Sequence, residues 1–190
     1  MKIKIAPLLI LFIISGITSM SFAQKRTVAG VEMPAKLTVN DKTVIYNGAG
    51  LREKYTIDLY VGALYLRRPS MDANKIINDD AEMAIRIQLV SDKVTRDKFV
   101  ESVIEGFEKS DQGKATQDEI DSFMKFYNDA FKSGDIITIQ YQPGKGVDFS
   151  KNGELRGNIK GLPFKKALFG IWLGSKPADS SLKDDMLGKV

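Results

Sequence analysis

The sequence predicts an α+β fold, in which a large antiparallel sheet carries a layer of helices on one face. Two observations lead there. Strand-like and helical stretches come in blocks, with strands first, then a helix pair, a hairpin and closing helices, whereas a doubly wound parallel sheet needs the two to alternate throughout. The strand-like stretches are also separated by short clusters of Asn, Asp, Gly and Pro, which suit tight turns between antiparallel neighbours.

Residues 1–23 stand apart from the rest. Lys2 and Lys4 form a basic start, Ile5 to Ile14 is an apolar run, and Ser21-Phe22-Ala23 has the small-x-small pattern of a cleavage site. This predicts a signal peptide over 1–23 and a single domain over 24–190, with export to the periplasm or to the medium. Removing 23 of 190 residues leaves 167, enough for one core and too few for two ordinary domains. No later stretch is long and apolar enough to span a membrane. Lys2 and Lys4 are the leader's only charges, so the net charge of +4 falls to +2 on cleavage, with the remaining lysines scattered. A nucleic-acid partner is therefore not expected.

The chain contains no cysteine and no histidine. Disulfides, Ser–His–Asp and Cys–His catalysis and the usual zinc and copper ligands are all excluded. No Asp-x-Asp-x-Asp-Gly spacing supports a calcium loop, and neither a metal nor any other cofactor is expected. Nothing in the sequence bears on oligomeric state.

Taken in order, Thr27 to Met33 reads as a short strand closed by Pro34. Leu37 to Val39 leads through an Asn40-Asp41 turn into Thr43 to Tyr46. Gly48 and Gly50 then suggest a relaxed turn, by special backbone angles or by close approach of another backbone. A long strand follows as far as Arg67-Arg68-Pro69, where the proline stops the pairing. If it has no bulge, Arg52, Thr56, Asp58, Tyr60 and Gly62 share one face, opposite Tyr55, Ile57, Leu59 and Val61.

Asp72 to Ile77 suits one helical turn. Met83 to Val90 alternates as a half-buried strand, with Met83, Ile85, Ile87 and Leu89 on one face. Thr95 caps a helix whose stripe is Phe99, Val100, Val103, Ile104 and Phe107. Thr116-Gln-Asp-Glu119 is a capping box, opening a helix with Ile120, Phe123, Met124, Tyr127 and Phe131 on its apolar face and Gly134 at its end. Strands follow at 135–142, 147–149 and 154–159, separated by glycine turns. Pro163 starts a third helix that buries Phe164, Ala167, Leu168, Ile171 and Trp172, with Lys165 and Lys166 on its exposed side. A last short helix runs over 180–187.

Among polar residues Arg52 stands out, because a planar guanidinium grips a carboxylate with two parallel hydrogen bonds, and Tyr60 on the same face can donate a third. The bland alternative pairs Arg52 with Asp58 or Glu53 and leaves Tyr60 in the core. Lys93, Arg96 and Lys98 read as a solvated rim, and Trp172 reads as core rather than ligand wall.

Gly48-Ala-Gly-Leu-Arg52, Tyr60-Val-Gly-Ala-Leu-Tyr-Leu66, Phe164-Lys-Lys-Ala-Leu-Phe-Gly-Ile-Trp-Leu-Gly174 and Lys176-Pro177 together resemble the bacterial branch of the chalcone isomerase-like family. The resemblance covers nearly all of residues 24–190. It implies an open-faced β-sandwich with a ligand cleft between sheet and helices. Members of that family either close a flavanone ring, with an arginine stabilising the enolate, or hold a fatty acid by an arginine and a tyrosine. Arg52 falls at the shared arginine. The enzymes' water-holding threonine falls near Tyr60, their cleft tyrosine at about Val94 or Thr95, their asparagine at about Ser102, and a late-helix threonine at about Ile171, beside Trp172.

Most of the enzymes' polar set is thus replaced, and what remains resembles the fatty-acid-binding pattern. The expected function is non-catalytic or weakly catalytic binding of a small amphipathic carboxylic acid. The ligand site would comprise Arg52, Tyr60, Thr95, Ser102, Ile171 and Trp172. Two alternatives remain: an isomerase acting on a hydroxy-enone through Arg52 and Tyr60, and a structural interaction module without a ligand.

Overall fold

The computed structural model describes residues 26–189. The predicted leader and cleavage site lie outside these residues. Seven strands form one antiparallel sheet in sequence order. They are β3 (Lys36–Val39), β4 (Lys42–Lys54), β5 (Ile57–Leu66), β6 (Met83–Leu89), β7 (Ile136–Gln142), β8 (Gly146–Lys151) and β9 (Glu154–Ile159). A separate hairpin, β1 (Arg26–Val28) with β2 (Val31–Met33), precedes them. The helices are α1 (Ala73–Asn78), α2 (Arg96–Lys109), α3 (Gln117–Lys125), α4 (Leu162–Leu173) and α5 (Ser180–Met186). The α+β class and the antiparallel order are as the sequence predicts.

Both faces of the sheet bury apolar surface. The larger core lies between the sheet and the helices and includes Leu64, Ile85, Ile87, Ile139, Phe149, Phe164 and Leu168. A smaller core on the opposite face gathers Val31, Met33, Val39, Val44, Val61, Ala63, Tyr65 and Ala84. The sheet curls so far that β3, three strands away from β6, comes back against β6 and β7. There Gln140 donates to the Thr38 carbonyl at 3.3 Å and Lys145 Nζ to Asn40 Oδ1 at 2.6 Å.

Several expectations are corrected. The stretch Thr27 to Met33 is two strands, because Ala29 and Gly30 turn the chain with φ of 46° and 77°. Gly48 and Gly50 make no turn; they lie inside β4, where a β-carbon on Gly48 would stand 2.1 Å from the Asp185 carbonyl oxygen of α5. Close approach of the α5 backbone is therefore the use of Gly48, while Gly50 makes room for the Asp185 side chain. The hairpin turn falls at Tyr55-Thr56, both left-handed with φ of 51° and 63°. That angle is a genuine outlier for a β-branched threonine, so sequence patterning gave no hint of a turn there.

Two irregularities reset the alternation. On β4 the register shifts between Tyr46 and Gly48, so Val44 and Tyr46 face the smaller core while Gly48, Gly50 and Arg52 face the helices. The extra residue, Asn47, donates to the carbonyls of Ser70 at 3.0 Å and Met186 at 2.8 Å and accepts from the Ser70 amide at 2.8 Å. On β5 the second shift places Arg52 opposite Tyr60 but Glu53 opposite Asp58, with Leu59 as the extra residue. Asp58 therefore does not share a face with Arg52 and Tyr60, contrary to unbroken alternation.

The second helix of the pair, α3, ends at Lys125 rather than near Gly134. The Tyr127 carbonyl, which a longer helix would use internally, instead accepts from Arg96 Nε at 3.1 Å. Tyr127 and Phe131 still reach the core from the irregular segment that follows. Lys165 is the sharpest correction, being 0% exposed. Its Nζ donates to the carbonyls of Ile76, Ile77 and Asp79, each at 2.9 Å, and so caps the C-terminal end of α1.

Candidate functional site

The cleft opens where the β4–β5 hairpin meets α2. Arg52 leaves β4 toward the helices and Tyr60 stands directly across from it on β5. The Arg52 guanidinium carbon lies 5.6 Å from the centre of the Tyr60 ring. Among the described residues no carboxylate pairs with Arg52. Its five N–H donors are therefore available at a half-buried position.

Behind them, Trp172 Nε1 at the end of α4 donates to the Tyr60 hydroxyl at 2.9 Å, inside the core. With that lone pair occupied, the phenol's own O–H remains free to donate, and a donor behind a hydroxyl strengthens the bond it makes in front. Leu182 of α5 sits alongside, since a β-carbon on Gly62 would stand 3.4 Å from both Leu182 Cδ1 and the Tyr60 ring.

The main chamber holds about 320 Å³. Ile57, Leu59, Tyr60, Val94 and Phe99 supply apolar wall, and Ser102 and Arg52 supply polar groups. Lys54, Lys93, Lys98, Glu101 and Glu105 rim it, so Lys93 and Lys98 border the opening as rim residues do. Tyr55, 85% exposed, stands at the mouth on the hairpin tip. At the rim Glu105 accepts from Lys109 one helical turn on, a bond that holds its carboxyl below the usual carboxylate range.

The structure thus brings Arg52, Tyr60 and Ser102 to one cleft, with Trp172 bonded behind. Thr95 is set apart: its oxygen accepts from the Lys98 amide at 3.3 Å as the cap of α2. Ile171 is buried beneath Gly106, where a β-carbon would stand 2.6 Å from its Cγ2, and this close approach seats α2 on α4. Ile57, Leu59 and Phe99 were legible as apolar residues of a strand and a helix stripe, but not as cleft wall. Their role depends on the Leu59 bulge and on how far α2 stands off the sheet.

Among the described residues no group of acidic side chains could hold a metal ion. No described helix is long and apolar enough to cross a membrane.

A curled antiparallel sheet under a helical layer, with an arginine and a tyrosine facing a cleft between them, defines an open-faced α+β sandwich. The chain belongs to the chalcone isomerase-like family, whose model matches residues 25–188. A search among functionally curated proteins returns no match. Among solved structures, the chain is similar to the crystal structure of a fatty-acid binding protein from Arabidopsis thaliana. The TM-score is 0.68 at 21% identity, covering 84% of this chain and 93% of that one. At that identity the likeness establishes the shared fold.

Proposed function

We propose that this protein binds a small amphipathic carboxylic acid of fatty-acid type, the carboxylate held by Arg52 and the Tyr60 hydroxyl and the tail covered by Ile57, Leu59, Val94 and Phe99. The observation that carries the reading is the half-buried guanidinium of Arg52 without a carboxylate partner beside an apolar chamber of about 320 Å³. A buried or half-buried arginine ordinarily has an anion to answer it. The volume lies at the small end of the range for ligand sites. The solved structure with the same fold is named as a fatty-acid binding protein, which supports this assignment.

Binding is favoured over ring closure because Ile57, Leu59, Val94 and Phe99 give the chamber an apolar wall that covers a tail but relays no proton. Removal of residues 1–23 on export belongs to the same proposal. N-terminal sequencing of the protein recovered from its host checks it, with Gln24 as the expected first residue.

The decisive experiment is to strip the purified protein of lipid by unfolding, refold it, and titrate it with saturated fatty acids of increasing length. Retention of at least one acid is expected. Arg52→Ala is expected to weaken it about 10- to 100-fold, the worth of a charge-assisted hydrogen bond at roughly 1.5–3 kcal/mol. If no acid is retained and Arg52→Ala changes nothing, the proposal fails. Incubation with a hydroxy-enone provides the contrasting test, since turnover abolished by Arg52→Ala would move the assignment to an isomerase.

A further inference from the structure

A second chamber adjoins the first and is of the opposite character. It holds about 230 Å³ and is lined by Arg52, Lys54, Ser102, Glu105, Lys109 and Lys176, with Pro177 and Ala178 closing the side toward α5. Arg52, Lys54, Ser102 and Glu105 line both chambers, so the cleft has an apolar half and a polar half that meet at the arginine.

The charges of the polar half are out of balance. Four cations, Arg52, Lys54, Lys109 and Lys176, stand against the carboxylates Glu53 and Glu105, leaving +2. Lys109 and Glu105 answer each other. Glu53 is opposite Asp58 in the register and exposed. Arg52, Lys54 and Lys176 form no close ion pair among the described residues, although Arg52 and Lys54 stand near enough to Glu105 to help Lys109 hold its carboxyl low. Ser102 adds a half-buried hydroxyl with no hydrogen-bond partner among them.

A single carboxylate bound by Arg52 and Tyr60 neutralises one of these charges and leaves Lys176, on the far side, unanswered. A phosphate monoester carries about −1.5 to −2 charges near neutral pH and three strong acceptor oxygens. One edge suits the arginine fork, and the remaining oxygen suits a lysine point charge.

We propose that the polar half is a phosphate-headgroup subsite, so that the preferred ligand is an amphiphile with an apolar tail and a terminal phosphate monoester held between Arg52, Lys54 and Lys176. This rests on the assignment of the cleft to an amphipathic acid and names the head it favours.

The test is a calorimetric titration of the purified protein at pH 8, below micelle-forming concentrations, with dodecanoate, dodecyl phosphate and inorganic phosphate. Dodecyl phosphate is expected to bind at least about tenfold more tightly than dodecanoate, equivalent to about 1.4 kcal/mol, and inorganic phosphate more weakly than either. Lys176→Glu is expected to erase the preference for the phosphate. Its far-UV circular dichroism and urea midpoint, read in parallel, report that the variant is folded. Equal affinity for the two amphiphiles, or a phosphate preference that survives Lys176→Glu, overturns the subsite and leaves acid binding standing. Inorganic phosphate binding as tightly as dodecyl phosphate overturns the amphiphile as ligand. Binding of none of the three overturns the subsite, and the chain-length series then decides the acid-binding assignment.

Discussion

The indole N–H of Trp172 has one acceptor, the Tyr60 hydroxyl, and that bond decides which way the phenol's own proton is free to point. A helical apolar stripe correctly implies that Trp172 is buried, yet it carries no information about where the single polar atom goes. Trp172→Phe keeps most of the packing and removes the donor. Stability is expected to fall by about 1–2 kcal/mol in urea unfolding. Dodecanoate affinity should fall as far as in Tyr60→Phe, with the double variant no weaker than either single one, because both break one unit. Lys165 teaches the same lesson. Amphipathic spacing on α4 puts it on the solvent side, but α4 is buried nearly all round and α1 needs a cap. Burial lowers its pKa from 10.5 to about 7. The unfolded chain therefore binds more protons than the folded one between those values, and stability rises with pH across that window. Lys165→Met is expected to abolish that slope and, by orphaning three carbonyls, to cost about 3 kcal/mol at pH 7, both read from urea titrations at several pH values.

At the level of elements, helix starts were the most legible features and strand interruptions the least. Thr95 and the Thr116 capping box begin α2 and α3 as their side chains dictate, since the cap and the first amides are neighbours in sequence. The Tyr55-Thr56 turn is invisible for the opposite reason: two residues poorly suited to left-handed angles adopt them because the strands on either side demand a hairpin. Thr56 recovers part of the cost through a 2.6 Å bond from its hydroxyl to the Tyr55 carbonyl. Thr56→Gly removes the strain while leaving Tyr55 at the cleft mouth. It is expected to stabilise the protein by about 1 kcal/mol, read as a higher urea midpoint with unchanged slope. An unchanged or lower midpoint would show the turn to be unstrained.

Across the whole molecule, the C-terminal helix closes on the first long strand. The carbonyls of Asp185 and Met186 lie where a side chain on residue 48 would be, and Asn47 reaches the Met186 carbonyl at 2.8 Å. Leu182, Met186 and Leu187 join the larger core beside Tyr60. Gly48→Ala is expected to push α5 off the sheet, costing about 1–3 kcal/mol and raising amide exchange in residues 182–187 above that of β6 and β7. The Gly48-Ala-Gly50 signal could be read from sequence as one of two physical needs. Choosing between them required knowing that a segment more than a hundred residues later comes to rest on that strand. The same holds for the cleft: alternation along one strand put Arg52 and Tyr60 on a common face, whereas they meet across a hairpin and a bulge, and the α2 wall and Lys176 arrive from distant parts of the chain.

The extra residue on β5 also divides labour within the cleft. Arg52 and Tyr60 lie on its inner side, in the regular ladder anchored by α4 and α5. Tyr55 and Ile57 lie on its outer side, in a short hairpin tip, with Leu59 itself at the junction. A bulge absorbs a change of length without passing it down the ladder, so the tip can gain, lose or exchange residues while the arginine and tyrosine keep their partnership. On the proposed assignment, differences in the tails accepted are expected to collect in residues 53–59, with Arg52 and Tyr60 unchanged.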